Sequence, residues 1–407
     1  MSDNVIILGA GASVDAGVPV LANFVDTMLE YGIKGKAGNK SLSDDDKIIF
    51  EEAMKVRKEL DGYHGRAAFD DRNIEDILSI LAFNLMSGEK EERNKLEWMT
   101  KAIARTIELS TTVKFDNQRT NEIQKIEGAD GYIDFWYNLF RKFSNQGEFP
   151  TIITFNYDLV LERSLFQLLI NTRFRPYDEE RFPNDGIVLK YYYEALESFA
   201  YKVNHINYTH HTEHGIEHLG GTAIETCNEK DLKRPAIIEL LKLHGSINFP
   251  NRNSKENIKP TIPTNPVENA YILPPLPNKS LFGEEIGIWK IALERLRQAK
   301  NIVIVGYSLP QTDVYMQYFF KSGVGPNTDL NKISIFNPTL FQDNADRMEM
   351  EQRYIKCFSP QMVKRIEFRP VEKKSLLKFE ENVENYFGRF AHFVSIINDQ
   401  NYNIFFS

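Results

Sequence analysis

Cysteine is almost absent from this 407-residue sequence, which has only Cys227 and Cys357. Two thiols cannot build a disulfide framework, and they exclude a four-cysteine zinc site. Long apolar runs are also missing: nothing approaches the roughly 18–20 uninterrupted apolar residues of a membrane-spanning helix. Residues 1–4 lack a basic segment and the apolar run after them is short, so no signal peptide is expected and the chain reads as cytoplasmic. Positive charge is not in excess. Lys and Arg number 49 against 57 Asp and Glu, a net charge of -8, which argues against non-specific nucleic-acid binding by the whole surface. There is no internal repeat and no low-complexity tail. What remains is a globular composition, 42% hydrophobic and 26% charged, sufficient for a core. At roughly 150 residues per domain this means one large domain with insertions, or two to three domains.

Four apolar residues, Val5-Ile6-Ile7-Leu8, run into Gly9-Ala10-Gly11-Ala12-Ser13, and an apolar-periodic stretch follows over 21–29. This pattern predicts a buried strand, a tight turn and a helix. Glycines at such a turn let the backbone approach a phosphate or diphosphate and present N–H groups to it. Residues 32–43 read as a loop. From 44 to about 143 the pattern is helical and no strand stands out. Ile74, Ile77, Leu78 and Leu81 share one face, with Asn73 and Asp76 as a cap. Leu96, Met99, Ile103 and Ile107 form another face, and 132–143 is an aromatic-rich helix suited to the core.

Strand-like runs return at 151–155, 241–243, 301–305, 332–336 and 363–368, with helices predicted over 284–299, 312–321 and 371–390. Residues 172–184 and the proline-rich 250–277 read as loops. Buried strands alternating with helices argue for an α/β fold with a Rossmann-like parallel sheet, in which residues just past the strand ends line the ligand crevice.

The glycine turn departs from the dinucleotide fingerprint of dehydrogenases. Its third glycine position holds Val14, and no second strand with an acidic end follows, which disfavours hydride transfer. The other strand ends carry Thr154-Phe155-Asn156-Tyr157-Asp158, Leu243-His244-Gly245, Gly306-Tyr307-Ser308 and Phe336-Asn337-Pro338. Each alone is also what an ordinary turn or helix cap uses. Asn156 offers a donor and an acceptor, and an imidazole at His244 is suited to general-base work.

Taken as an ordered set, these motifs resemble the sirtuin superfamily over about residues 1–340. The resemblance implies that Gly9, Ala10, Gly11, Ser13 and Asp15 hold the diphosphate of NAD. It places Asn156 beside the nicotinamide ribose, with Asp158 orienting its loop. It makes His244 the base, and it sets Gly306, Ser308 and Asn337 against the adenosine half. Deacylating sirtuins carry a zinc ribbon, which two cysteines cannot supply. Their loop continues into Ile-Pro-Asp-Phe-Arg, whereas Val20-Leu21-Ala22-Asn23-Phe24 stands here and the arginine is missing. These departures resemble the sirtuin-like NAD-hydrolysing effectors of bacterial anti-phage defence, above all the subunit that assembles with a HerA-type ATPase.

That resemblance implies an NAD glycohydrolase with NAD as substrate and no metal. It further implies a homo-oligomer with a HerA-type ATPase partner, and neither membrane nor direct nucleic-acid contact. On this reading 35–145 is an inserted helical layer, 170–235 an insertion, and 341–407 an extension available for assembly contacts. The alternatives are an NAD-dependent protein deacylase and a non-catalytic nucleotide-binding subunit. Two features stay outside the set. His205, His210, His211, His214 and His218 form a dense run, in which 210, 214 and 218 would chelate a metal if helical. Unpaired histidines of this kind also serve simply as solvated or interface residues. The aromatic residues in 402–406 are a candidate interface.

Overall fold

A computed structural model of the chain describes residues 2–63, 66–67, 69–111, 113–116, 122–126, 129–143, 149–170, 185–193, 196–212, 215–249, 286–311, 313–342, 344–368 and 388–397, with Pro263, Val267 and Ile272 as single positions. The central strand is β1 (Asn4–Leu8), buried along its whole length. After the glycine turn come α1 (Leu21–Lys34), a short hairpin of β2 (Lys36–Ala37) and β3 (Lys40–Ser41), and helices α2 (Asp44–Asp61), α3 (Ile74–Asn84) and α4 (Lys90–Ser110). A second hairpin, β4 (Val113–Asp116) and β5 (Glu122–Ile126), precedes α5 (Asp130–Phe143), β6 (Thr151–Thr154) and α6 (Val160–Ile170). Then follow β7 (Gly186–Tyr193), β8 (Leu196–Thr212), β9 (Gly215–Cys227), β10 (Pro235–Lys242), α7 (Ile286–Gln298) and β11 (Asn301–Val305). The chain continues through α8 (Val314–Val324), β12 (Lys332–Phe336), α9 (Ala345–Ile355), β13 (Ile366–Glu367) and the helix Phe390–Ile397.

Nine of these strands form one sheet in the order β13-β12-β11-β1-β6-β10-β7-β8-β9. Pairing is parallel from β13 through β7 and antiparallel along β7-β8-β9. The molecule is therefore a mixed α/β protein with a mostly parallel sheet, compatible with a Rossmann-like fold. The apolar runs Asn-Val-Ile-Ile-Leu of β1 and Asn-Ile-Val-Ile-Val of β11 have every residue buried. A parallel strand is covered on both faces, so its sequence runs apolar instead of alternating. From β1 the chain moves to β6 and β10 on one side and later crosses to β11 and β12 on the other. In open α/β sheets a reversal of this kind sets the ligand crevice over the carboxyl ends of the central strands.

Among the described residues two apolar clusters form the core. The larger surrounds the sheet and takes in Tyr132, Phe135, Trp136 and Phe140 of α5, together with Phe390, Phe393 and Ile397. The smaller joins Phe24, Val25 and Met28 of α1 to Ile74, Ile77, Leu78, Leu81, Met99, Ile103 and Ile107. Both helical faces read from the sequence are thus buried, apart from the partly buried Leu96 at the edge. A buried ion pair ties this region to the sheet side. Arg163 grips Glu108 with two hydrogen bonds of 2.8 Å each and donates to the Pro263 carbonyl. Arg105 pairs with Asp46; burial opposes ionisation of Asp46, but the guanidinium prevails and holds its carboxyl below the ordinary carboxylate range.

Several expectations need correction. The region 32–43 holds the end of α1 and the β2–β3 hairpin rather than a loop. The stretch 44–143 contains the β4–β5 hairpin. The strand at 241–243 is the end of the longer β10. In 363–368 only Ile366–Glu367 pairs, because Ser359 caps a helical turn at Pro360–Val363. Asn73 caps α3 through Glu75 N–H, while Asp76 accepts from Asp70 instead of completing the cap. The histidine run is not helical. His205, His210 and His211 lie on β8 and His218 on β9, so a spacing of four no longer stacks them on one helix face. His214, 172–184, 371–387 and 402–406 lie outside the described residues. Among the described residues no helix is long and apolar enough to cross a membrane, and no group of three or more His, Cys, Asp and Glu could hold a metal ion.

Candidate functional site

The strand-end motifs, scattered over more than three hundred residues of sequence, become neighbours in the sheet. Across it they read Asn337 after β12, Gly306 after β11, Gly9 after β1, Asn156 after β6 and His244 after β10. Backbone bonds extend the ladder just beyond the strands: Gly306 N–H to Phe336 O, Gly9 N–H to Val305 O, Phe155 N–H to Leu8 O and Leu243 N–H to Thr154 O. Four inter-strand steps of about 4.8 Å span roughly 19 Å, enough for an elongated ligand with a ring system at each end.

The glycines at the centre have a packing reason. Gly11 N–H donates to Gly306 O at 2.9 Å. A β-carbon on Gly9 would lie 2.6 Å from that same oxygen. Gly306 has φ 68°, and a β-carbon there would come within 2.3 Å of Ala12 N. The N–H groups of Gly9 and Gly11 are thus engaged within the protein, rather than turned outward as the sequence suggested. Gly306→Ala adds overpacking to left-handed strain and is expected to cost about 2–4 kcal/mol, read from denaturant unfolding as a lower midpoint with unchanged slope.

Ala10 and Ser308 are exposed at the mouth, whereas Ser13 is buried. Leu309, immediately after Ser308, has φ 48° and a fully buried side chain, so packing holds a backbone conformation that leucine seldom takes. Asn156 is held from two sides. Its Nδ2 donates to Gly9 O and to Ser13 Oγ, each at 3.0 Å. A carbonyl oxygen only accepts, so the atom facing Gly9 must be the amide nitrogen. This fixes Oδ1 on the opposite side, where it is buried and has no hydrogen-bond partner among the described residues.

His244 sits in an aromatic surround, its ring 5.4 Å from Phe155, 6.2 Å from Tyr157 and 6.3 Å from Trp289. The β6 and β10 turns are joined directly: Ile247 N–H donates to Tyr157 O at 3.0 Å, and Ser246 Oγ donates to the same oxygen. Beneath them Lys242 and Glu162 form a buried ion pair at 2.9 Å. The Asn156 and His244 turns are therefore positioned as one unit.

The remaining predicted residues have partners inside the protein. Asp158 is buried and accepts from Val160 N–H, starting α6. Asn337 accepts from Thr339 N–H and caps the turn after β12. Asp15 pairs with Arg389 at 3.2 Å. Val20–Phe24 is the first turn of α1: Asn23 accepts from Val20 N–H, and Phe24 is buried in the helical cluster. The sequence reading missed Tyr132, Trp289, Lys242, Glu162 and Arg389. Tyr132 and Trp289 sit in helical patterns that signal only core. A lysine in an otherwise apolar strand, Glu239-Leu-Leu-Lys242-Leu, was a usable signal for a buried charge pair.

The segment just before the Phe390–Ile397 helix packs at the opposite end of the crevice, where Gly388 lies against the Asn337 backbone. Gly388 N–H donates to His392 Nδ1 at 3.0 Å, and burial pushes His392 down to about 4. In the unfolded chain this imidazole titrates near 6.5. Between these values the unfolded state binds the extra proton, so stability is complete above about pH 6.5 and falls as pH drops toward 4. The expected loss is on the order of 2–3 kcal/mol, and His392→Gln should flatten this part of the unfolding pH profile.

Fold and site together define an α/β protein in which five adjacent parallel strands bring polar and glycine residues side by side at their carboxyl ends. No protein-family model matches the chain, and no curated protein matches it.

Proposed function

We propose that the crevice binds NAD and that the chain is a sirtuin-type NAD glycohydrolase, releasing nicotinamide and ADP-ribose. The observation that carries this reading is the Asn156 amide. Both its N–H groups are committed to Gly9 and Ser13, and its buried Oδ1 has no donor among the described residues. A buried amide oxygen left without a donor costs about 1–3 kcal/mol, which a ribose hydroxyl or an ordered water would recover. On this reading the diphosphate crosses β1 and β11, leaving the nicotinamide ribose over Asn156 and His244.

In the reaction the bond between ribose C1′ and the nicotinamide nitrogen breaks, and its electron pair neutralises the pyridinium ring. No general acid is needed for this leaving group. The oxygen of a water bonds to C1′, and His244 takes the water's proton. Asn156 holds the ribose or the water during passage through an oxocarbenium-like state.

Helices α2–α4 are read as a layer inserted between the first strand–helix unit and the rest of the sheet. The wider role is an NAD-depleting, cytoplasmic effector of anti-phage defence. It would act as a homo-oligomer controlled by a HerA-type ATPase, with no metal and no direct nucleic-acid contact. The test is incubation of the purified chain, alone and with its genomic neighbour's product, with NAD and with NAD plus an acetylated peptide. Peptide-independent nicotinamide and ADP-ribose are expected. Release only in the presence of peptide would establish a deacylase instead, and absence of turnover in every assembly would point to a binding subunit.

A further inference from the structure

We infer that Tyr132 is a positioning residue that sets the orientation of the Asn156 amide through Ser13; this rests on the reading of Asn156 given above. The Tyr132 hydroxyl lies 3.1 Å from Ser13 Oγ, in a buried contact joining residues far apart in sequence. Ser13 Oγ in turn receives Asn156 Nδ2 at 3.0 Å. A serine hydroxyl has one proton and two acceptor sites. To accept from Asn156, Ser13 must direct its own proton elsewhere. The tyrosine oxygen, acting as acceptor, takes that proton.

Without that hydroxyl, the serine proton is free to turn toward Asn156, where only the amide oxygen could receive it. The Gly9 carbonyl at 3.0 Å resists this flip and is then the remaining hydrogen-bond partner of the amide nitrogen among the described residues. The phenol is well placed for a fixed role. Burial, with the Asp158 charge adding to it, holds its pKa well above the ordinary value, so it keeps its proton. Its ring is stacked on Phe390 at 4.1 Å and 27°. Arg389, next to Phe390, is anchored on Asp15 of the same turn. The C-terminal helix therefore clamps the ring whose hydroxyl steers Ser13.

The experiment compares Tyr132→Phe, Ser13→Ala and the double variant. It reads kcat and KM for nicotinamide release, and the solvent exchange of the Asn156 side-chain amide protons by NMR, assigned through Asn156→Asp. One buried hydrogen bond corresponds to about a tenfold effect. Tyr132→Phe is expected to lower kcat about tenfold, with KM within about twofold and amide exchange about tenfold faster. In the Ser13→Ala background it should add nothing, because both changes act on one link. A wild-type exchange rate in Tyr132→Phe, or an undiminished kcat loss in the Ser13→Ala background, overturns the inference. A lower Tm with wild-type kcat and exchange would mark Tyr132 as merely structural and overturn it equally. The glycohydrolase reading fails on a different result, Asn156→Ala turning over like the wild type. Without turnover in any assembly, the exchange measurement still decides the role of Tyr132.

Discussion

A Lys242→Met chain is expected to lose about 3–5 kcal/mol of folding stability. Lys242 and Glu162 are 1% and 0% exposed, so neither charge has water to fall back on. The ammonium bonds Glu162 Oε1 and also the Asp158 carbonyl, and the Tyr191 hydroxyl reaches the same Glu162 oxygen at 3.3 Å. Removing the lysine leaves a buried carboxylate and a buried carbonyl short of donors. Denaturant unfolding would show the loss as a lower midpoint. The double variant Glu162→Leu, Lys242→Met should recover more than half of it, because the cost lies mainly in an uncompensated charge and not in the pair's absence. A single variant within about 1 kcal/mol of wild type would mean that water reaches the pair. The consequence extends to the site, since Lys242 is two residues before His244 and its Asp158 contact is two residues after Asn156.

Replacing His244 by alanine is expected to slow nicotinamide release by about 10²–10⁴-fold, the usual worth of a positioned base. Asn156→Ala should reduce turnover comparably, because its buried amide oxygen is the acceptor argued to meet the ribose or water. Both variants should fold. His244 is only half-buried at a turn, and Asn156 lies outside any helix or strand. Product chromatography in the condition where the wild type turns over, with thermal unfolding as a control, separates the outcomes. Wild-type release from either variant would remove that residue from the chemistry. Loss of NAD binding in both, measured by calorimetry, would assign them to affinity instead.

The central part of the fold was legible because parallel strands announce themselves. β1, β6, β11 and β12 are short apolar runs closed by glycine or asparagine, and they stand within a residue of where the pattern places them. The capped face of α3 was equally plain, since a helix burying one side repeats at three and four residues. The antiparallel edge was not. β8 and β9 are rich in histidine, glycine and threonine and lack a clean alternation, so the histidines read as a helical spacing. Cross-strand pairing decided otherwise: β8 and β9 close into one long antiparallel hairpin, whose register sets the histidines on two strands. The C-terminal part was hidden for a similar reason: the apolar face of Phe390–Ile397 is evident, but nothing local says that it packs on α5.

By itself the sequence determined the alternation of strands and helices, the glycine turn after β1 and the polar residue at each strand end. These are local properties, governed by periodicity, turn stereochemistry and the absence of cysteine. Only the tertiary structure decided that Asn337, Gly306, Gly9, Asn156 and His244 stand side by side. It alone decided that Gly9, Gly11 and Gly306 are glycines because their backbones touch. It also decided which way the Asn156 amide is turned, its nitrogen toward Gly9 and Ser13. The order of strands in a sheet follows from crossover paths and buried area summed over the whole chain, and a side-chain amide is oriented by whichever groups that packing brings beside it.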